Sequence, residues 1–264
     1  TGRPPFMGDD AVAIIGQQRR PALEGQRYHV YPDGLRKAQR LINLASRFKL
    51  PLVTLIDTQG ADPGLEAEEQ GIGNAIATTL SMMVEAPTPI VSVIIGEGGS
   101  EGALALGLSD RILMQQYAVY SPISLNHTLG VSYHDHRLDR EAAEALMLTA
   151  QDCLELGIAD QVVPEPAGGA HLNPKEATGT LQIALLKQLA ELSKLSPNKL
   201  LKKRYQKFRR MGESSSYSQE AMTREVELLM KITGSASHRG RGGQSQRRSG
   251  SDDEVRETTV TADD

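Results

Sequence analysis

Two apolar runs rich in β-branched residues constrain the fold most: Pro51-Leu52-Val53-Thr54-Leu55-Ile56-Asp57 and Pro89-Ile90-Val91-Ser92-Val93-Ile94-Ile95. Each has the length and composition of a buried strand. Each ends in a glycine-containing loop and leads into small and apolar residues suited to a closely packed helix. Strand, loop and helix thus occur twice in about 60 residues, with the spacing of parallel crossovers. Both loops then leave the carboxyl edge of one parallel sheet, where α/β folds place their ligands. Periodicity leaves open whether the sheet is doubly wound or part of a superhelix.

The second loop lies within Ile94–Gly107, where five of fourteen residues are glycine. Glycine leaves room for a ligand to approach the backbone, and a helix that starts there aims free N–H groups at it. The expectation is that these groups hold a developing oxyanion.

The remaining elements follow in order. Ala11–Gly16 reads as a short strand and the polar stretch to Asp33 as a loop. Helical periodicity runs from Leu35 to Phe48, with Asp33 as N-cap. One helix is expected from about Leu65 to Glu85. Arg111–Met114 reads as a strand and Tyr117–Ser121 as extended. Asp139–Leu156 reads as a helix, and Gly157 caps it before a strand ending at Val163. Helices follow at about 175–194, 198–211 and 216–232. Lys202, Lys203, Arg204, Lys207, Arg209 and Arg210 read as a solvated basic face. Residues 1–234 form the folded domain, and 235–264, rich in Gly, Ser, Arg and Asp, read as a disordered tail.

Composition narrows the function. A net charge of −4 argues against nucleic acid as partner. The single cysteine, Cys153, fits a reducing compartment and a buried small residue. No apolar run approaches a membrane span. The first residues do not read as a signal peptide, and a start at Thr1 reads as a processed product or a piece of a longer polypeptide. Gly98, Ser100 and Gly102 fit Gly-x-Ser-x-Gly, but no Asp-then-His context for a hydrolase follows. His134-Asp135-His136 reads as a polar loop, not a metal site. Glu66, Glu68 and Glu69 read as charges complementing a helix start.

Several segments together resemble the carboxyltransferase α subunit of bacterial-type acetyl-CoA carboxylase. They are Phe6-Met7-Gly8-Asp9-Asp10, Pro32-Asp33-Gly34-Leu35-Arg36-Lys37-Ala38, Ile56–Gly64, Ala67-Glu68-Glu69, Ile95–Ala105, Ile158–His171 and Arg204-Tyr205-Gln206-Lys207. The resemblance spans residues 6 to 230, with the motifs in the family's order. It implies a crotonase/ClpP-like superhelix of βαβ units with C-terminal helices. It implies transfer of a carboxyl group from carboxybiotin, on a biotin carboxyl carrier protein, to acetyl-CoA, giving malonyl-CoA for fatty acid synthesis. It also implies activity only with a β-type subunit (an α2β2 assembly), a biotin carboxylase in the same system, a cytoplasmic location and no metal in this chain. By motif position, the Gly102 and Ala103 N–H groups would form the oxyanion hole for the biotin ureido oxygen. Gly60, Ala61, Gly98 and Gly99 would shape the substrate wall.

The chain departs from the family at three places. Glu101 stands where Gly is usual, Gln59 where Pro is usual, and Leu125-Asn126-His127 where Pro-Glu-Gly is usual. Glu101 is expected to face a basic group or solvent. Two other functions fit the same residues: a non-catalytic assembly or regulatory paralogue, and a crotonase-type enzyme acting on an acyl-CoA alone.

Overall fold

The structure, a computed structural model, describes residues 11–17, 29–122 and 147–212. The strands are β1 (Ala13–Gly16), β2 (His29–Val30), β3 (Leu52–Thr58), β4 (Gly60–Ala61), β5 (Ile90–Gly99), β6 (Arg111–Gln115), β7 (Val119–Ser121) and β8 (Gln161–Val163). The helices are α1 (Pro32–Phe48), α2 (Leu65–Glu69), α3 (Ile72–Glu85), α4 (Ser100–Gly107), α5 (Ala150–Glu155), α6 (Pro174–Leu192) and α7 (Pro197–Arg210). The expected helix at 216–232, the boundary at 234, the tail, His134–His136 and Leu125–His127 lie outside the described residues, as does most of the helix expected from Asp139.

The main sheet runs β1-β3-β5-β6-β8, all parallel. A doubly wound sheet reverses its strand order at a switch point. Here each new strand adds on the same side, as in a superhelix. The layer then turns: β7 pairs with the outer end of β5, and β2 pairs with β4 in a second small sheet.

Alternation along the strands builds two cores. Leu52, Ile56, Ile90, Ile94, Ile112 and Met114 face Ala38, Ile42 and Ala45 of α1, Met83 of α3 and Leu106 of α4. Val53, Val91, Val93, Leu113 and Val163 face Ala184, Leu189 and Leu192 of α6 and Leu200 of α7. Thr54 and Ser92 are buried polar residues within these strands. Their hydroxyl oxygens lie 2.8 Å apart and within 2.9 Å of the Leu106 carbonyl oxygen, so they fasten the end of α4 to the sheet.

Three local expectations need correction. The N-cap of α1 is Tyr31; Pro32 occupies the first turn and sets the helical φ, and Asp33 lies inside it. The helix expected over 65–85 is two helices, α2 and α3, because Gly71 takes φ 77° between them. The strand expected to stop at Ile95 runs to Gly99, because its end pairs with β7 and with Thr58. The Leu156–Gly157 helix end holds, with Gly157 at φ 71°, but the helix before it covers only Ala150–Glu155 within the described residues.

Candidate functional site

The turn from β5 into α4 has no loop. Gly99 is the N-cap, and Ser100 alone turns the chain, at φ 50°. Among the described residues no side chain caps α4. Helical geometry leaves the N–H groups of Ser100, Glu101 and Gly102 without an intrahelical acceptor; that of Ala103 is the first with one, the Gly99 carbonyl.

The six residues assigned from the sequence come together at this edge. Gly60 and Ala61 form β4, Gly98 and Gly99 end β5, and Gly102 and Ala103 lie in the first turns of α4. The tightest contacts, at Gly99 and Gly102, are backbone on backbone. A Cβ on Gly102 would lie 2.5 Å from the Gly60 carbonyl carbon and 2.7 Å from the Ala61 nitrogen. A Cβ on Gly99 would lie 2.3 Å from the Gln59 carbonyl oxygen. Gly98 backs onto Tyr120 and Ile94, and Gly96 onto the Asp57 carboxylate. The space these glycines leave is therefore filled by the chain itself, which corrects the expectation that it is left for a ligand. Gly60, Gly98, Gly99, Gly102 and Ala103 are buried, whereas Ala61 is half-buried.

A polar frame fixes the two loops. The ladder between β3 and β5 is interrupted beside Asp57, whose Oδ1 accepts the Glu97 N–H at 3.0 Å. Thr58 Oγ1 lies 3.1 Å from Gly60 N, which donates to it. The Gln17 side chain donates to Gly102 O at 3.1 Å and accepts from Asp57 N at 3.2 Å. Asp62 accepts from Gly64 N at 2.8 Å, and its other oxygen lies 3.6 Å from His29 Nδ1. Tyr31 also bonds Asp62, which together with partial burial and the Asp62 and Glu66 charges raises its pKa.

Glu101 is exposed and accepts a hydrogen bond from Ser100 Oγ, so its carboxylate faces solvent as expected. Glu66, Glu68 and Glu69 are exposed on α2, with Glu66 and Glu68 in its first turn. The basic cluster on α7 divides. Lys202, Lys203, Arg209 and Arg210 are exposed, but Arg204 is buried against Asp110 and Lys207 pairs with Asp160 at 2.5 Å. Among the described residues no group of His, Cys, Asp or Glu could hold a metal, and no helix is long and apolar enough to cross a membrane.

Gln17, Asp57, His29 and Asp62 escaped the sequence reading. Gln17, Asp57 and Asp62 do follow or end strands that point to the carboxyl edge, the one signal available to find them.

A parallel superhelix whose strand ends carry a pair of interlocked glycine loops is the crotonase-like architecture, and solved structures agree. A Pseudomonas malonate decarboxylase hetero-tetramer in complex with malonate aligns with TM-score 0.57 at 17% identity, covering 83% of each chain. Transcarboxylase 12S, solved with hydrolysed methylmalonyl-coenzyme A, aligns with TM-score 0.56 at 20% identity, over 69% of this chain and 33% of that one. The sequence makes the family specific. The acetyl co-enzyme A carboxylase carboxyltransferase-like family matches residues 2–212, and the chain belongs to it. It is 45% identical over 210 residues to the acetyl-coenzyme A carboxylase carboxyl transferase subunit alpha of Thermosynechococcus vestitus, covering 78% of this chain and 65% of that protein. The corresponding subunit of Geobacter sulfurreducens is 44% identical over 210 residues, covering 78% and 66%. The chain thus spans just under two thirds of the length of these relatives.

Proposed function

We propose that this chain is the α-type half of a biotin-dependent carboxyltransferase that moves a carboxyl group from carboxybiotin to acetyl-CoA, forming malonyl-CoA. The observation that carries this reading is the contact of Gly102 with the Gly60–Ala61 peptide. It sets a bare helix start against a second backbone wall at the carboxyl edge of the sheet, in a member of this family.

Biotin, brought by a carrier protein, supplies the carboxyl group and a ureido oxygen that gains negative charge as the group departs. Uncapped N–H groups at a helix start suit such an anion, so the residues present fit it. Gly102 and Ala103 are the proposed donors. Gly102 has the deepest N–H that the helix leaves without an acceptor, and the Ala103 N–H would be shared between the anion and the Gly99 carbonyl. Gly60 and Ala61 hold the first turn of α4 in place, Gly99 lets the two backbones close, and Gly98 makes room for the Tyr120 ring. Fixed dipoles of this kind stabilise charge without reorganising, and losing one donor costs about 10²–10³ in rate. The chain needs no side-chain base under this reading; its work is placement and charge stabilisation.

The reading includes a β-type partner in an α2β2 assembly, a biotin carboxyl carrier protein, a biotin carboxylase and a cytoplasmic setting. Its test is co-expression with a β-type subunit, followed by malonyl-CoA-dependent carboxylation of free biotin. Turnover is expected from the complex. No turnover with any acyl-CoA, with the partner bound, overturns the catalytic role.

One observation favours a second reading, a non-catalytic assembly subunit: Glu101 puts a carboxylate on the helix start that should meet an anion. That reading predicts that Glu101→Gly, which removes the carboxylate without adding a Cβ, leaves the function of the complex unchanged.

A further inference from the structure

Gln17 follows the last residue of β1, and its backbone N–H still pairs with the Leu55 carbonyl at 2.9 Å. Its side chain is half-buried and spends both ends of the amide. Nε2 donates to Gly102 O at 3.1 Å, and Oε1 accepts from Asp57 N at 3.2 Å. Asp57 in turn holds Glu97 N at 3.0 Å. One amide therefore ties the ends of β1 and β3 to the first turn of α4, and through Asp57 to β5.

The carbonyl it holds belongs to the peptide between Gly102 and Ala103. That peptide is planar and trans, so fixing its C=O fixes the direction of the Ala103 N–H. A helical carbonyl ordinarily accepts from the residue four positions on. A second donor from outside the helix adds restraint and polarises the same peptide group. The far end of α4 is fastened independently, by Thr54 and Ser92 at the Leu106 carbonyl.

We infer that Gln17 is a positioning residue for the oxyanion-binding turn, setting the orientation of the Gly102–Ala103 peptide from the end of β1. The inference rests on the carboxyltransferase reading for its catalytic consequence, though not for its structural one. It also explains the residue type. The site needs a donor toward Gly102 O and an acceptor toward Asp57 N, and a primary amide has both, whereas a carboxylate has acceptors only.

The test uses the full chain with Gln17→Met, which fills similar space without either bond, and Gln17→Glu, which keeps the Asp57 contact and sets a carboxylate against the Gly102 carbonyl. Amide hydrogen exchange across residues 98–107 is expected to quicken about tenfold in both, with α6 and α7 unchanged, as for local opening. In complex with the β-type partner, kcat for biotin carboxylation is expected to fall about 10- to 100-fold, the cost of a misplaced catalytic group. KM for malonyl-CoA should stay within about twofold, because uniform binding is untouched. Wild-type exchange at 98–107 in both variants overturns the inference whatever the activity does. Equal quickening throughout the chain also overturns it, since that is general destabilisation. If Gln17→Met does not fold, Gln17→Glu decides alone. A wild-type complex without turnover, with exchange changed locally as expected, removes the carboxyltransferase reading and leaves the positioning role standing.

Discussion

Gly102 lies so close to Gly60 that a methyl group on it would sit 2.5 Å from the Gly60 carbonyl carbon. The obstacle is backbone, so no side chain can swing aside. Gly102→Ala must push α4 away from β4, and overpacking of this kind costs about 1–3 kcal/mol. Under the proposed function it also moves a donor, and turnover should fall about 10²–10³-fold. Urea unfolding and the biotin carboxylation rate measure the two effects. Gly179→Ala is the control, because none of the described residues lies within 4 Å of a Cβ there. It should keep full turnover and gain up to about 1 kcal/mol from better helix propensity.

Glu101 makes a prediction of the opposite sign. Its exposed carboxylate stands on the first turn of α4, one residue before Gly102. An acid there supports the helix by about 0.3–1 kcal/mol but opposes an anion forming at the same N–H groups. Repulsion of about 1 kcal/mol through solvent corresponds to roughly fivefold in rate. Glu101→Gln should therefore raise kcat about two- to fivefold at low ionic strength, and the gain should shrink with added salt. An unchanged kcat at low salt would show that the reacting anion sits elsewhere.

What the sequence disclosed follows from the range of each interaction. Strands β3 and β5 were legible because a short continuous run of β-branched apolar residues reports a strand buried on both faces. Gly71 was not, because small residues on both sides continue the helical pattern while φ breaks it. The outer half of β5 was not, because Gly96–Gly99 carry no strand preference and extend only through pairing with β7 and Thr58. The close packing of the candidate glycines was not legible either, since it depends on a backbone some 40 residues away that presses on them. Gln17 and Gly102 are 85 residues apart in sequence, and no local pattern connects them. The α7 basic cluster failed likewise: Arg204 looks like its neighbours until Asp110 folds beside it.

Arg204 and Asp110 give the strongest stability prediction. Nε donates to Oδ1 at 3.0 Å and Nη2 to Oδ2 at 2.7 Å, in full burial. The remaining donors reach the carbonyls of Met83, Ala86 and Thr88 at 2.7–2.9 Å, satisfying the end of α3 and the chain leading into β5. Arg204→Ala strands the carboxylate and these carbonyls, and breaking a buried pair costs about 3–5 kcal/mol. Arg204→Lys should recover only part of this, since one ammonium cannot reproduce the planar fork. The cluster lies at the amino edge of the sheet, opposite the glycine loops. Turnover per folded molecule should therefore change little while the urea midpoint drops. A loss below about 1 kcal/mol would contradict the assignment.

Cys153 allows a single-thiol experiment, being the only cysteine in the chain. It is 1% exposed, and burial, with a lesser contribution from Asp152, pushes its thiol up to about 11 from 9.0. The thiolate is the reactive form, so the folded protein should give almost no reaction with a disulfide reagent at pH 8 and one equivalent in urea. Burial likewise raises the Tyr120 hydroxyl to about 12 from 10.0. Both groups keep their protons in the folded state after the unfolded chain has released them. Stability should then be fully present below about pH 9 and decline as pH rises toward 11 to 12. Lys207 works in the other direction, because burial lowers its pKa below 10.5 and the folded state releases its proton first, so stability gains as pH rises through that interval. Cys153→Ala removes the contribution that begins at pH 9, with the lesser part of the Tyr120 rise that the Cys153 thiolate causes, and leaves Lys207 untouched. Comparing the pH dependence of urea unfolding between the wild type and Cys153→Ala isolates it, and two parallel curves from pH 8 to 11 would show that the thiol titrates alike in both states.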